Sequence, residues 1–321
     1  MKALSLEKPG TLQLRKIPLP EPDSGEVRVR VTHCALCRTD AKMWQQGHRD
    51  LVLPRVLGHE ICGFREDTGE RFAVWPGKSC GNCPQCRHGA ENLCPHIQIV
   101  GFHCDGGLAE AVRVPRSSLL PIADNVSGDL ACLAEPLACA LNALEQAQLC
   151  AGEKVLIYGG GPVGLMMALV AQSLSAEPLI LENNPLRIQQ TEAFRMRLGL
   201  NAVPQYGGLS SDLVVNACSS LDAFRQGLSQ LRSGGRFCLF SGFPDEGEAC
   251  ASLLNEVHYR QLKVVGAYGC TRRQMARSLS IIQAQSEALA LLIEERIALE
   301  AVPSAVPRVL LGQTLKVVVM L

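Results

Sequence analysis

"KVLIYGGGPVGLMMALVAQSLSAEPLILENN", residues 154–184, decides how this chain is read. A short apolar run (154–158) meets a cluster of glycines. A longer apolar run without breakers follows, and then a second short apolar run ending at Glu182. Runs of four to eight apolar residues read as buried strands, and longer ones as buried helices. The stretch is therefore strand, turn, helix, strand. Gly159, Gly161 and Gly164, with Pro162 and Val163 between the last two, fit G-x-G-x-x-G. The first glycine allows the tight turn, the second admits a pyrophosphate to the backbone, and the third lets the helix pack on the strand. The helix N-terminus then faces the phosphates. Glu182 lies eighteen residues after Gly164, where a carboxylate binds the ribose hydroxyls of NAD and repels the extra phosphate of NADP. Arg187 stands close enough in sequence to moderate that repulsion. NAD is expected, NADP less so.

The alternation continues downstream. "PLRIQQTEAFRMRLG" reads as one helix stopped by Gly199. "DLVVNACSS" (212–220) reads as a strand, "LDAFRQGLSQLRSGG" as a helix with a glycine stop, and "RFCLFSG" and "LKVVGAYG" (262–269) as strands. Alternating strand and helix predicts a parallel, doubly wound sheet in an α/β fold.

Upstream, "SCGNCPQCRHGAENLC" (79–94) puts four cysteines into sixteen residues. Two disulfides, an iron–sulfur cluster and one tetrahedral metal are the choices. No apolar signal-peptide core opens the chain and no run is long enough to span a bilayer. Of fifteen cysteines, Cys218 and Cys238 sit in apolar strand-like runs. These features point to reduced thiols in the cytoplasm. The seven residues before Cys94 depart from the ferredoxin spacing of three. Zinc imposes only a tetrahedron, so Cys80, Cys83, Cys86 and Cys94 are expected to hold a structural zinc with no open position.

A second donor set lies in "HCALCRTD" (33–40) and "LGHEICG" (57–63): Cys37, His59 and Glu60 offer one sulfur, one nitrogen and one oxygen. A mixed set with fewer than four protein ligands is what a catalytic zinc uses. Glu135, before a proline in the apolar "LAEPLACALNAL", is a carboxylate that wants a partner. His33 as a ligand, and Cys34 with Cys37 as a redox pair, are weaker alternatives.

Composition bounds the rest. The 321 residues suffice for about two domains, and 47% are hydrophobic. Lys+Arg equals Asp+Glu at 31 each, with no basic patch, which argues against a nucleic-acid partner. No membrane partner is expected.

Taken together, "CRTD", "GHE", the four-cysteine lobe, "DGGLAEAVRVP", "AEPLACALNAL", "VLIYGGGPVGL", "LRSGGRFCLFSG" and "LKVVVML" resemble the zinc-dependent medium-chain alcohol dehydrogenases, nearest the sorbitol/threonine dehydrogenase-like branch. The resemblance implies a GroES-like catalytic domain over 1–137 and 270–321, with the structural zinc lobe at 79–95, and a Rossmann NAD-binding domain over 138–269. It implies two zinc ions per chain, one on Cys37 and His59 with Glu60 or Glu135. Thr39 matches the Ser/Thr that passes the alcohol proton onward. It implies hydride transfer between a secondary alcohol (polyol, sugar alcohol or amino alcohol) or its ketone and nicotinamide, in a homo-oligomer, dimer or tetramer. Lys42 stands where many relatives carry a relay histidine, and Gly269 about where sorbitol dehydrogenases carry a substrate-site arginine. "AVPQYGGLSSDLVV" is shorter than usual, so one helix–strand piece is expected to be trimmed. The alternatives are a non-catalytic nucleotide-binding protein of this fold and an iron–sulfur protein.

Overall fold

The computed structural model describes residues 1–205, 207, 208, 210–243 and 251–321. The chain forms two compact units: Met1–Ala138 with Cys270–Leu321, and Cys139–Gly269.

The first unit is β-rich. The Glu26–Ala35 strand alternates buried and half-exposed residues along most of its length, the period-2 pattern of a strand with one face on a core. It is the centre of a seven-stranded sheet, pairing antiparallel with Glu60–Arg65, Ala111–Pro115 and Lys316–Met320. The last strand puts Val318, Val319 and Met320 opposite Ala35, Cys34 and His33, so the C-terminal segment is built into the middle of the unit. Lys2–Lys8 pairs with Thr11–Lys16 and Arg55–Val56 in a smaller sheet. Leu4, Leu6, Val29, Leu57, Ile61, Val317 and Val319 fill one shared core. A two-stranded ribbon, Gly77–Lys78 on Gln98–Ile99, closes the neck of the four-cysteine lobe.

The second unit is a six-stranded parallel sheet in the order Asn201–Val203, Glu177–Leu181, Lys154–Tyr158, Ser211–Asn216, Leu231–Leu239, Lys263–Gly266. Val155, Leu156, Ile157, Leu213, Val214 and Val215 are almost fully buried. That explains the unbroken apolar runs, since central parallel strands are covered on both faces. The strand order reverses at Lys154–Tyr158, the switch point where such sheets bind ligands. The architecture is the expected one, a β-rich unit with a doubly wound α/β unit.

Local details differ from the sequence reading. The 185–199 segment is two helices, Pro185–Gln190 and Glu192–Leu198, broken at Thr191. The Thr191 hydroxyl donates to Arg187 O (2.9 Å), offering the backbone a local alternative. Gly199, at φ 64°, ends the second. The next helix stops at Gln230 rather than at the glycines, because Leu231 is 1% exposed and already belongs to the sheet. Of the shortened piece, the strand survives as Asn201–Val203, and the crossover helix is what is missing. Only 204–210 link it to Ser211–Asn216, and no described residue there is helical. Seven residues reach at most ~23 Å, and the link must both cross three strand spacings of about 14 Å and run back along the parallel strands, which leaves no length for a helix.

Candidate active site

Cys37 is the N-cap of the Arg38–Gln46 helix. Its Sγ accepts the Thr39 N–H at 3.4 Å, and the Asp40 carboxylate accepts the Cys37 N–H at 2.9 Å. This is a capping box with sulfur in place of a hydroxyl. His59 sits in the turn before the Glu60–Arg65 strand. Gly58 before it has φ +96°, and a Cβ there would lie 2.7 Å from Cys34 Sγ, so only glycine allows the turn. Cap and turn bring Cys37 Sγ, a His59 ring nitrogen and a Glu60 oxygen within 4.8 Å of one another.

Asp40, 1% exposed, ties these pieces together. Besides the Cys37 N–H, its carboxylate accepts the Gly58 N–H at 3.3 Å and lies 3.3 Å from His59 Nδ1. A carboxylate behind a ligating histidine fixes the ring's orientation. Burial works against a charged His59, but Asp40 and the Cys37 thiol outweigh it and push its pKa well up. The site thus favours positive charge beside that ring. Phe102, 5% exposed, packs edge-on against His59, with ring centroids 5.3 Å apart.

Glu60 is fully buried, and burial raises its carboxyl. One oxygen is paired with Lys316 Nζ, which also donates to Leu36 O at 3.0 Å. The other, Oε1, has no hydrogen-bond partner. A buried, unmatched carboxylate oxygen beside a thiol and an imidazole is a donor set that fits a divalent cation of borderline softness. Glu135, 8% exposed in the first turn of the Ala134–Gln146 helix, stands outside that trio. It acts electrostatically on Glu60 and Lys316. Thr39 is half-buried in the helix's first turn.

Cys80, Cys83, Cys86 and Cys94 converge within 4.8 Å, with Sγ–Sγ separations of 3.4 Å (Cys83–Cys86) and 3.5 Å (Cys80–Cys94). None is in a disulfide. The Asn82 and Cys83 amides push Cys80 down to about 6. For Cys83 the Cys86 amide favours the thiolate, but burial and the neighbouring thiols carry it up to about 11. Four crowded thiols cannot all ionise unless a cation neutralises them, and this set fits a closed tetrahedral site.

In the second unit Gly159 has φ +111°, and a Cβ on Gly164 would lie 2.0 Å from Gly159 O. Gly161 caps the Pro162–Ser173 helix, with Pro162 in its first turn. Gly161, Pro162 and Val163 remain partly exposed, while Gly164 to Ala171 are buried. Glu182 accepts the Gly160 N–H and the Asn184 N–H, both at 2.9 Å. Arg187 is only 7% exposed, so its side chain is packed inside rather than presented as a surface cation.

Sequence reading did not single out Asp40 or Lys316. The signal for the first was the aspartate within "CRTD"; for the second, a lone cation at the head of the apolar "LKVVVML".

Residues 23–124 match the alcohol dehydrogenase GroES-like domain. The chain is 30% identical over 292 residues to L-threonine 3-dehydrogenase of Chelativorans sp. (strain BNC1), covering 84% of each. It is 29% identical over 296 residues to L-galactonate-5-dehydrogenase of Escherichia coli (strain K12), covering 86% of each. A solved structure described as a zinc-binding dehydrogenase of Sinorhizobium meliloti 1021, bound to NADP, superposes with a TM-score of 0.89 at 26% identity over 100% of this chain and 99% of that one. With the glycine turn, the two donor clusters and this extent of similarity, the chain belongs to the zinc-type medium-chain alcohol dehydrogenases, in their sorbitol/threonine-like branch.

Proposed function

We propose that Cys37 and His59, with Glu60 or Glu135 as the third donor, hold the catalytic zinc of this enzyme, and that Cys80, Cys83, Cys86 and Cys94 hold a structural one. The protein is an NAD(P)-dependent oxidoreductase acting on secondary alcohols. The observation that carries the site assignment is the convergence of Cys37, His59 and Glu60 within 4.8 Å, with Glu60 Oε1 unmatched.

Zinc held there supplies Lewis acidity towards the hydroxyl or carbonyl oxygen, and NAD is the hydride acceptor. The remaining work falls to the chain. Asp40 orients His59 and fixes the Cys37 cap. Thr39 Oγ1 accepts the hydroxyl proton as the carbon–hydrogen bond breaks, and gives it up towards solvent. Phe102 walls one side of His59 and excludes water. The amides that open the Pro162–Ser173 helix receive the pyrophosphate, with the helix's positive end behind them. Glu182 changes partners, from the Gly160 and Asn184 amides to the ribose hydroxyls, and so favours NAD over NADP. In reverse, Thr39 returns the proton to the alkoxide formed from a ketone.

The substrates are small alcohols or ketones. L-Galactonate and L-threonine, named for the relatives, put a sugar acid and an amino alcohol first on the list to test. The reduced thiols support a cytoplasmic setting. The partly exposed edge strand Lys263–Gly266 supports a homo-oligomer, dimer or tetramer. The first unit is assigned the chemistry and the second the nucleotide. A metal assay combined with an NAD-linked screen of secondary alcohols tests the whole reading. Two zinc ions per chain and one active alcohol are expected; absence of zinc, or of turnover on every alcohol, defeats it.

A further inference from the structure

Asn216 ends the Ser211–Asn216 strand and is 0% exposed. A carboxamide buried that completely needs its donors and acceptor matched. Its Oδ1 accepts the Phe240 N–H at 2.8 Å, and its Nδ2 donates to Ser241 O at 2.8 Å and to Cys218 O at 3.4 Å. The backbone oxygen of Asn216 accepts the Ser241 N–H at 3.1 Å. Asn216 stands opposite Leu239, the last residue of Leu231–Leu239. One side chain thus joins the segments that leave two neighbouring strands. The chemistry described above makes no use of it.

Those segments adjoin the glycine turn. A Cβ on Gly159 would lie 3.2 Å from Ala217 O and 3.4 Å from Cys218 Cβ, and one on Gly164 would lie 3.4 Å from Ala217 Cβ. The Ala217 N–H donates to Tyr158 O at 2.8 Å. The turn therefore rests on the 217–218 backbone, and Asn216 ties that backbone to 240–241. Ala217, Cys218, Phe240 and Ser241 are all partly exposed, so together they form a shelf that a ligand can reach.

The position of the shelf in the sheet says which part of a dinucleotide it meets. The pyrophosphate lies at the switch point, on the glycine turn. Glu182, just beyond Glu177–Leu181, is assigned the ribose that carries the extra phosphate in NADP, which is the adenosine one. Glu177–Leu181 flanks Lys154–Tyr158 on one side, and Ser211–Asn216 with Leu231–Leu239 on the other. The nicotinamide half falls on that other side, over the shelf.

We infer that Asn216 is a positioning residue for hydride transfer: its carboxamide presets the 217–218 and 240–241 backbones on which the nicotinamide riboside is seated. This rests on the dehydrogenase reading above and adds to it a residue that acts only through the backbones it holds. A seat ordered before its ligand arrives spares the entropy of ordering it on binding. The Phe243 ring packs against Phe224 with centroids 5.7 Å apart, a second hold on the same segment that an Asn216 variant keeps.

The experiment uses the full chain with zinc. Asn216→Leu keeps the side chain's size and removes its hydrogen bonds; Asn216→Asp keeps the acceptor towards Phe240 and turns an oxygen on two carbonyls. Binding of NADH is followed by nicotinamide fluorescence, and binding of ADP-ribose, which lacks only the nicotinamide, by calorimetry. Both variants are expected to bind NADH about 10–100-fold more weakly, the worth of one or two unmatched buried hydrogen bonds, while ADP-ribose changes by less than about threefold. KM for NAD should rise with the NADH dissociation constant. A parallel loss of both ligands marks a merely structural residue and overturns the inference, as does no change in either. Hydrogen exchange on the parent tests it without a substitution. With no dinucleotide added, the Phe240 and Ser241 amides should already be protected; exchange at the rate of a free peptide shows that the shelf is not preset and overturns it. A parent that binds neither NADH nor ADP-ribose defeats the dehydrogenase reading and this inference with it, whereas a parent that binds both, with variants that lose neither, defeats the inference alone.

Discussion

The two donor clusters of the first unit are built in opposite ways. Cys37, His59 and Glu60 rise from residues that are themselves in the core: Leu36, Asp40, Met43, Leu57 and Ile61 are each at most 3% exposed. Every piece is held by something else, the cap by Asp40, the turn by Gly58, the carboxylate by Lys316. The four cysteines stand on turns. The Pro84–Arg87 and Glu91–Leu93 helices have no buried residue, and Leu93 is 57% exposed. Only Cys94 among the four is fully buried. A cluster rooted in a core has its geometry before any ion arrives, whereas a lobe without a core is ordered by the ion itself. The first can be tuned for reactivity; the second works as a fastener.

The largest test of this contrast is Cys37→Ser or His59→Ala. Each is expected to cut kcat/KM by roughly a thousandfold or more, about 4 kcal/mol of transition-state stabilisation; Cys37→Ser, which keeps a capping side chain, should barely move the unfolding transition, whereas His59→Ala lowers it by leaving buried Asp40 without its imidazole. Full activity in a metal-free Cys37→Ser protein would remove the centre from the chemistry. Next comes Lys316→Met, which strands a buried carboxylate. Breaking one partner of a buried pair costs about 3–5 kcal/mol, read by urea denaturation. Pairing it with Glu60→Leu should recover much of that stability; if the double variant is no better than the single one, the pair is not what Lys316 provides. Cys83→Ser should act only locally. One zinc per chain is lost and protease cleavage within 80–94 rises, with the sheet core intact. A Cys83→Ser protein that keeps its full metal content would show the lobe does not depend on all four thiols.

The smallest effect is reserved for a pair in the same unit whose carboxylate is buried but whose arginine reaches water. Arg296 holds Asp129 through Nε (2.9 Å) and Nη2 (2.6 Å). Burial opposes the carboxylate, but the Ser127 hydroxyl and Arg296 outweigh it and keep its pKa below the usual range. A lowered folded pKa stabilises above the unfolded value of about 3.9, and the contribution is lost as pH falls through the folded one. Solvent screening keeps it to at most about 1 kcal/mol. Asp129→Asn should therefore lose that much at pH 6, and the difference from the parent should shrink as pH falls below the ordinary aspartate range. An Asn variant whose difference from the parent does not change with pH would rule out the ionic contribution.

What the sequence revealed follows the reach of each interaction. The glycine turn and the four-cysteine lobe are local, and spacing alone displays them. The central strand runs of the second unit, Lys154–Tyr158 and Ser211–Asn216, were readable because burial on both faces leaves no polar interruption. Asp40 was not singled out, because its three partners come from two segments that only the fold joins. Lys316 was hidden for the same reason, its partner lying 256 residues away. The break at Thr191 rests on one hydroxyl choosing a backbone carbonyl, which apolar periodicity does not register. The missing crossover helix was half visible: a short segment signals a deletion, but which element is gone depends on whether the rest can still span the sheet.

The bond between Glu60 and Lys316 also has a consequence in time. A ribosome adding about 5–20 residues per second delivers the lysine roughly 10–50 s after the glutamate. Throughout that interval the nascent chain lacks the lysine that pairs with this carboxylate and the Lys316–Met320 strand that carries it. The surroundings of that trio are therefore complete only late in biosynthesis, whereas the four cysteines of the lobe lie within sixteen consecutive codons.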